Sequence, residues 1–141
     1  MAGGPEHQPA VIVHSLAQAL TAAVVAVEAG RPLTVLSAPG AASAVGVGWW
    51  VALTELVTER YPTARLRLVL DCGDQAGAAL GALRRRVRVI GYDGPPEIAA
   101  KLAAIAAAAG SELIRPDFGR ALDLADETDG AAALRRWWQL Q

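Results

Sequence analysis

The chain has 141 residues, a formal net charge of −1 and 53% hydrophobic residues. That length suits one domain with a proper core, and the near-neutral charge excludes the electrostatic footprint of a nucleic-acid binder. The single cysteine, Cys72, excludes an internal disulfide framework; with no signal peptide read at the start, the expected compartment is the cytoplasm.

Residues 1–9, "MAGGPEHQP", read as a loose polar terminus. "AVIVH" (Ala10–His14) is a short β-branched run that predicts a strand. Ser15 is an N-cap for a helix ending at Gly30, with Leu16, Leu20, Val24 and Val27 on one helical stripe. "PLTVLS" (Pro32–Ser37) is the second strand and "APGAASAVGVG" (Ala38–Gly48) a glycine-rich loop. Pro32 to Thr54 carries no charge and is long enough to span a bilayer, but Pro39, Gly40, Gly46 and Gly48 break it, so strand, turn and helix is the better reading.

Trp49–Tyr61 predicts a helix stopped by Pro62, and Arg65–Asp71 a third strand. Asp74–Arg86 predicts a helix whose closing Arg84, Arg85 and Arg86 suit its negative end and read as a solvated terminus. Val87–Asp93 is the fourth strand. Gly94–Gly110 is a helix with prolines in its first turn. Ser111–Gly119 is a poorer fifth strand, since Pro116 lies inside it. The remaining 120–141 predicts one or two helical pieces.

Strands alternating with helices imply a parallel sheet with right-handed crossovers. Two architectures fit: an open doubly wound sheet, or part of a (β/α) barrel. In either, chemistry gathers at the carboxyl ends of the strands. Those ends carry His14–Ser15, Ser37, Asp71–Cys72, Asp93 and Asp117. Aspartates there also cap the following helices, so each has a purely structural explanation. Spacing alone shows no CxxC, no HExxH, no G-x-S-x-G and no phosphate loop.

In order, "PLTVLSAPGA", "VALTELVTERYP", "LVLDCGD" and "VRVIGYDG" resemble segments of the zinc-dependent class II fructose-bisphosphate and tagatose-bisphosphate aldolases. The likeness runs from about Ala10 to Gly119 and covers the first half of such an enzyme. It implies a half (β/α) barrel of four to five sequential strands over 10–119. The segment 120–141 would then cover the open face or an interface. It implies Asp71 as catalytic acid/base, and Ser37, Gly40 and Asp93 as substrate-binding residues. Where the family has a zinc histidine this chain has Cys72, so Cys72 and His14 are the metal candidates. Asp117 stands where the family has a glutamate.

The family's other two zinc histidines and its phosphate-binding loops have no counterpart here. The expected role is therefore binding or interaction without catalysis, with no cofactor; the alternative is a zinc-dependent lyase completed by dimerisation. A half barrel leaves an apolar inner face bare, which at ~25 cal/mol per Å² would cost a large part of the ~5–15 kcal/mol of a native domain. Either the tail, with Trp137 and Trp138, or a second copy should cover it, and a homodimer is expected.

Overall fold

The computed structural model describes residues 8–139. The loose terminus expected over 1–9 lies, up to residue 7, outside them. Gln8 and Pro9 instead run beside the second strand: the Pro9 carbonyl accepts from the Thr34 N–H at 2.9 Å, and the Gln8 Oε1 from the Thr34 hydroxyl at 3.2 Å.

Each half of the alternation has a local cause. β1 (Ala10–Val13) leads into α1 (Leu16–Ala29). The Ser15 side chain accepts from the Gln18 N–H, and Gly30, at φ 63°, stops α1 by returning its N–H to Ala26 and Val27. β2 (Leu33–Ser37) follows, then α2 (Ala41–Ala44), a single turn inside the expected loop, and α3 (Val47–Arg60). β3 (Leu66–Asp71), α4 (Ala76–Arg84), β4 (Val89–Gly91) and α5 (Pro96–Ala108) come next. β5 (Glu112–Ile114) leads through a 3₁₀ turn (Phe118–Arg120) to β6 (Leu122–Asp123) and α6 (Gly130–Gln139).

The sheet has six strands, all pairings parallel, in the order β5-β4-β3-β2-β1-β6. The four to five strands expected become six, because Leu122 pairs with Val11 and Asp123 with Ile12 inside the segment expected to be helical. A two-residue strand carries no detectable alternation; the unpaired edge of β1 recruits it. The order rises through β1 to β5 without reversal, unlike the 2-1-3-4-5 order of open flavodoxin-like sheets.

Sequential strands with right-handed crossovers must place every connecting helix on one face. The described residues obey this. Helix residues pack with Val11, Val13, Leu33, Val35, Leu70 and Ile90 in one large cluster. On α1 the buried side chains are Ala19, Ala22, Ala23, Val25 and Ala26. The stripe expected to face the core is displaced: Val27 is exposed, and small alanines bring the helix close to the sheet.

The opposite face carries a separate, smaller cluster of Ile12, Leu36, Val69 and Val89. They are at most 9% exposed. Within the chain their cover is not the C-terminal helix. Ile114, Phe118 and Ala121, on and after β5, pack against them. The return from β5 to β6 runs against the direction of the other crossovers, so right-handedness sends it over this second face.

The reach of that strap, residues 115–121, is close to the span it must cross. β5 and β6 are five strand steps apart, or ~24 Å across a flat sheet at ~4.8 Å per step. Leu122 also sits beside Val11 near the start of β1, while Ile114 sits beside Gly91 at the end of β4. Eight Cα steps, two of them inside the 3₁₀ turn, reach at most ~25 Å at ~3.5 and ~2 Å per residue. The strap therefore crosses this face with almost no slack, which favours a sheet curved toward it.

α6 lies on α1, in the helix layer. Trp138 is buried there with the Arg31 guanidinium 4.9 Å from its ring centre, and Arg135 grips Glu28 through two hydrogen bonds of 2.8 Å. Neither tryptophan of the tail belongs to the concave-face cluster. No described helix is long and apolar enough to cross a membrane.

If the strap covers the concave face, Phe118→Ala should lower unfolding free energy by about 1–3 kcal/mol, whereas exposed Val45→Ala should stay within about 0.5 kcal/mol. Urea titrations of both variants check this; equal midpoints would remove the strap from the account of stability.

Candidate functional site

Side-chain alternation sorts the strand ends. Val69 lies on the concave face, so Asp71, two residues on, shares it; Leu70 and Cys72 face the helices. By the same count Ile12 sets His14 on the concave face, Val89 sets Gly91 and Asp93 there, and Asp123 lies opposite Leu122 and Leu124. Ser37, flanked by concave-face Leu36, belongs with the helix side.

Asp71 is 3% exposed. Its Oδ2 accepts from the Gly40 N–H at 2.7 Å and from the Gly73 N–H at 3.1 Å. Its own N–H donates to the Ser37 hydroxyl oxygen at 2.9 Å, and that hydroxyl donates to the Ala38 carbonyl at 3.1 Å. One carboxylate thus holds the loop after β2 and the loop after β3 in place. Burial pushes its carboxyl above the ordinary value of 3.8; the Gly40 and Gly73 N–H groups pull it back without cancelling the rise, and the nearby Asp93 charge adds to it.

Gly91 is required beside it. A Cβ there would stand 2.6 Å from Asp71 Oδ1 and 2.7 Å from Pro116 Cγ. The start of the strap therefore presses directly on the strand end that flanks Asp71.

The metal candidates are not brought together. Cys72 is fully buried in the helix-side cluster. Burial, with the adjacent Asp71 charge adding to it, pushes its thiol up to about 12, so the thiolate that zinc needs is disfavoured. His14 engages Asp123 instead, Nε2 to Oδ1 at 2.7 Å, while its N–H donates to Gln18 Oε1. Burial opposes ionisation of Asp123, but the Ala125 N–H and His14 outweigh it and its pKa is lowered. Among the described residues no group of three or more His, Cys, Asp and Glu could hold a metal ion. Cys72 and His14, on opposite faces of the sheet, do not form a zinc site together.

Of the substrate-binding candidates, Ser37 is fully buried and committed to Asp71 and Ala38. Gly40 gives its N–H to Asp71. Asp93 is exposed at the rim and pairs with Arg115 at 2.9 Å. Asp117 is exposed beside the 3₁₀ turn, where its carbonyl accepts from the Arg120 N–H. Sequence reasoning missed Asp123 and Arg115. The signal for Asp123 was slight: "ALD" (Ala121–Asp123) ends an apolar pair on an aspartate, as the longer "LVLD" does.

Set beside known proteins, the chain matches no family model, and no curated protein matches it significantly.

The raised Asp71 pKa has a defined consequence for stability. With the folded value above the unfolded ~3.9, the folded state holds this proton better, so the group's contribution is complete below pH ~4 and is lost as pH rises through the folded pKa. Asp71→Asn cannot titrate and keeps a carbonyl for both N–H donors; its stability relative to wild type should rise across that window. Asp71→Ala strands the Gly40 and Gly73 N–H groups and should cost about 1–3 kcal/mol for each. Urea midpoints at pH 3 to 7 test both, and a pH-independent gap between wild type and Asp71→Asn would refute the burial argument.

Proposed function

We propose that the chain is a barrel-derived relative of the class II aldolases that binds and does not catalyse. The kinship rests on the ordered motifs quoted above. Sequential parallel strands, helices on one face and a last strand beside the first all suit part of a (β/α) barrel.

The observation that carries the non-catalytic reading is the state of the residue set itself. Asp71 is buried and held by two backbone N–H groups, and Ser37 and Cys72 are fully buried. None is free to meet a substrate, and the strap lies against the same strand end through Pro116. What the rim keeps for recognition is His14 with Asp123 and Asp93 with Arg115. Such paired, half-solvated groups suit hydrogen-bonding of a polar ligand or partner.

One observation favours the dimer-completed lyase: Asp71 has its pKa raised, as a proton-transferring carboxyl requires. That reading needs a homodimer and a bound metal.

Metal analysis, light scattering and a retro-aldol assay on ketose bisphosphates separate the two. The binding reading expects under about a tenth of an equivalent of zinc, no chelator-induced fall in Tm and no cleavage. Stoichiometric zinc in a dimer that cleaves the substrate would replace it with the lyase.

A further inference from the structure

A groove of about 700 Å³ lies at the far end of the sheet from Asp71, beneath the amino-terminal ends of β3, β4 and β5 and walled by α3. That volume falls in the range of small-ligand sites, ~300–1,000 Å³.

Four arginines converge on it: Arg67 from β3, Arg85 and Arg86 from the end of α4, and Arg88 from the entry to β4. Two carboxylates, Glu55 and Glu112, share the wall. Arg67 is spoken for by Glu112 at 2.6 Å. No carboxylate among the described residues pairs with Arg85, Arg86 or Arg88. Against these three guanidinium groups, which fall within four positions of chain, the described lining sets a single unpaired carboxylate, Glu55, in a protein whose formal net charge is −1.

Two further features mark the place. Arg86 has φ 60° and is the one non-glycine residue with positive φ among those described. A long side chain is kept where glycine would fit the backbone better. Trp50, 1% exposed, also lines the groove, and its indole N–H is buried with no acceptor. A buried donor without a partner is uncommon in native structures and marks this wall as unusual.

We propose that this groove binds a small phosphorylated molecule, its phosphoryl group held by Arg85, Arg86 and Arg88. Guanidinium forks match phosphate oxygens two at a time. The groove also offers an apolar and aromatic wall in Tyr61 and Pro62 for the rest of the ligand. The site does not rest on the aldolase kinship, since it uses none of the strand-end residues.

The test is isothermal titration of the full chain with inorganic pyrophosphate, against sodium chloride of equal ionic strength. Saturable one-to-one binding in the millimolar range or tighter is expected, with Arg85→Gln and Arg88→Gln together weakening it at least about tenfold and exposed Lys101→Gln leaving it unchanged. Arg86→Gly removes a guanidinium while relaxing the backbone, so it should lose affinity with Tm unchanged or raised. The Trp50 indole resonance, assigned through Trp50→Phe, should shift on binding in wild type. Absence of saturation, or wild-type affinity in the arginine variants, overturns the proposal. Tighter binding of duplex DNA that added salt abolishes overturns it as well, in favour of a polyanion surface.

Discussion

A sheet wound in one direction has helices for one face only, and the other face must be shut off from water by something else. Everything in this fold answers to that requirement. The chain meets it with seven residues between β5 and β6 and no helix. Ile12, Leu36, Val69 and Val89 come from four strands, and they are dry because Ile114, Phe118 and Ala121 lie on them. The same strap crosses the sheet with almost no slack, and it borders the surroundings of Asp71, because Pro116 rests against Gly91.

That arrangement separates the two ends of the molecule in kind. At the carboxyl ends of the strands the deepest polar groups are consumed internally: Asp71 by two loops and Ser37 by Asp71. At the amino ends the arginines are left over. An internally satisfied carboxylate stabilises loops, whereas an unmatched guanidinium cluster is available to an anion. In many barrel enzymes the first end holds the chemistry; here the hydrogen bonds of Asp71 and Ser37 join the loops that follow β2 and β3.

Much of the architecture was legible because local signals were strong and mutually consistent. The Ser15 cap, the Gly30 stop and the prolines opening α5 fix helix ends by backbone chemistry that neighbours cannot override. β6 was not legible, since two residues carry no period and only the free edge of β1 gives them a partner. The core stripe of α1 was misread because hydrophobicity ranks Leu and Val above Ala, whereas close approach to the sheet selects for size. Asp71 was legible as a strand-end carboxylate, but its hold on Gly40 and Gly73 depends on the paths of two loops that no local pattern encodes. Cys72 and His14 looked like partners by residue type; alternation along the strands sets them on opposite faces.

The pairing of Leu122 with Val11 joins positions more than a hundred residues apart along the chain. Nothing nearby in sequence can prepare that contact, and the surface on which Phe118 settles is not complete until four earlier strands stand side by side. Assembly must therefore proceed from β1–β4 outward, with the final strand docking last and bearing the largest loop-closure entropy. The segment that completes the interior is thus the last to find its place, and a nascent chain keeps its inner surface wet until residues 115–123 have emerged.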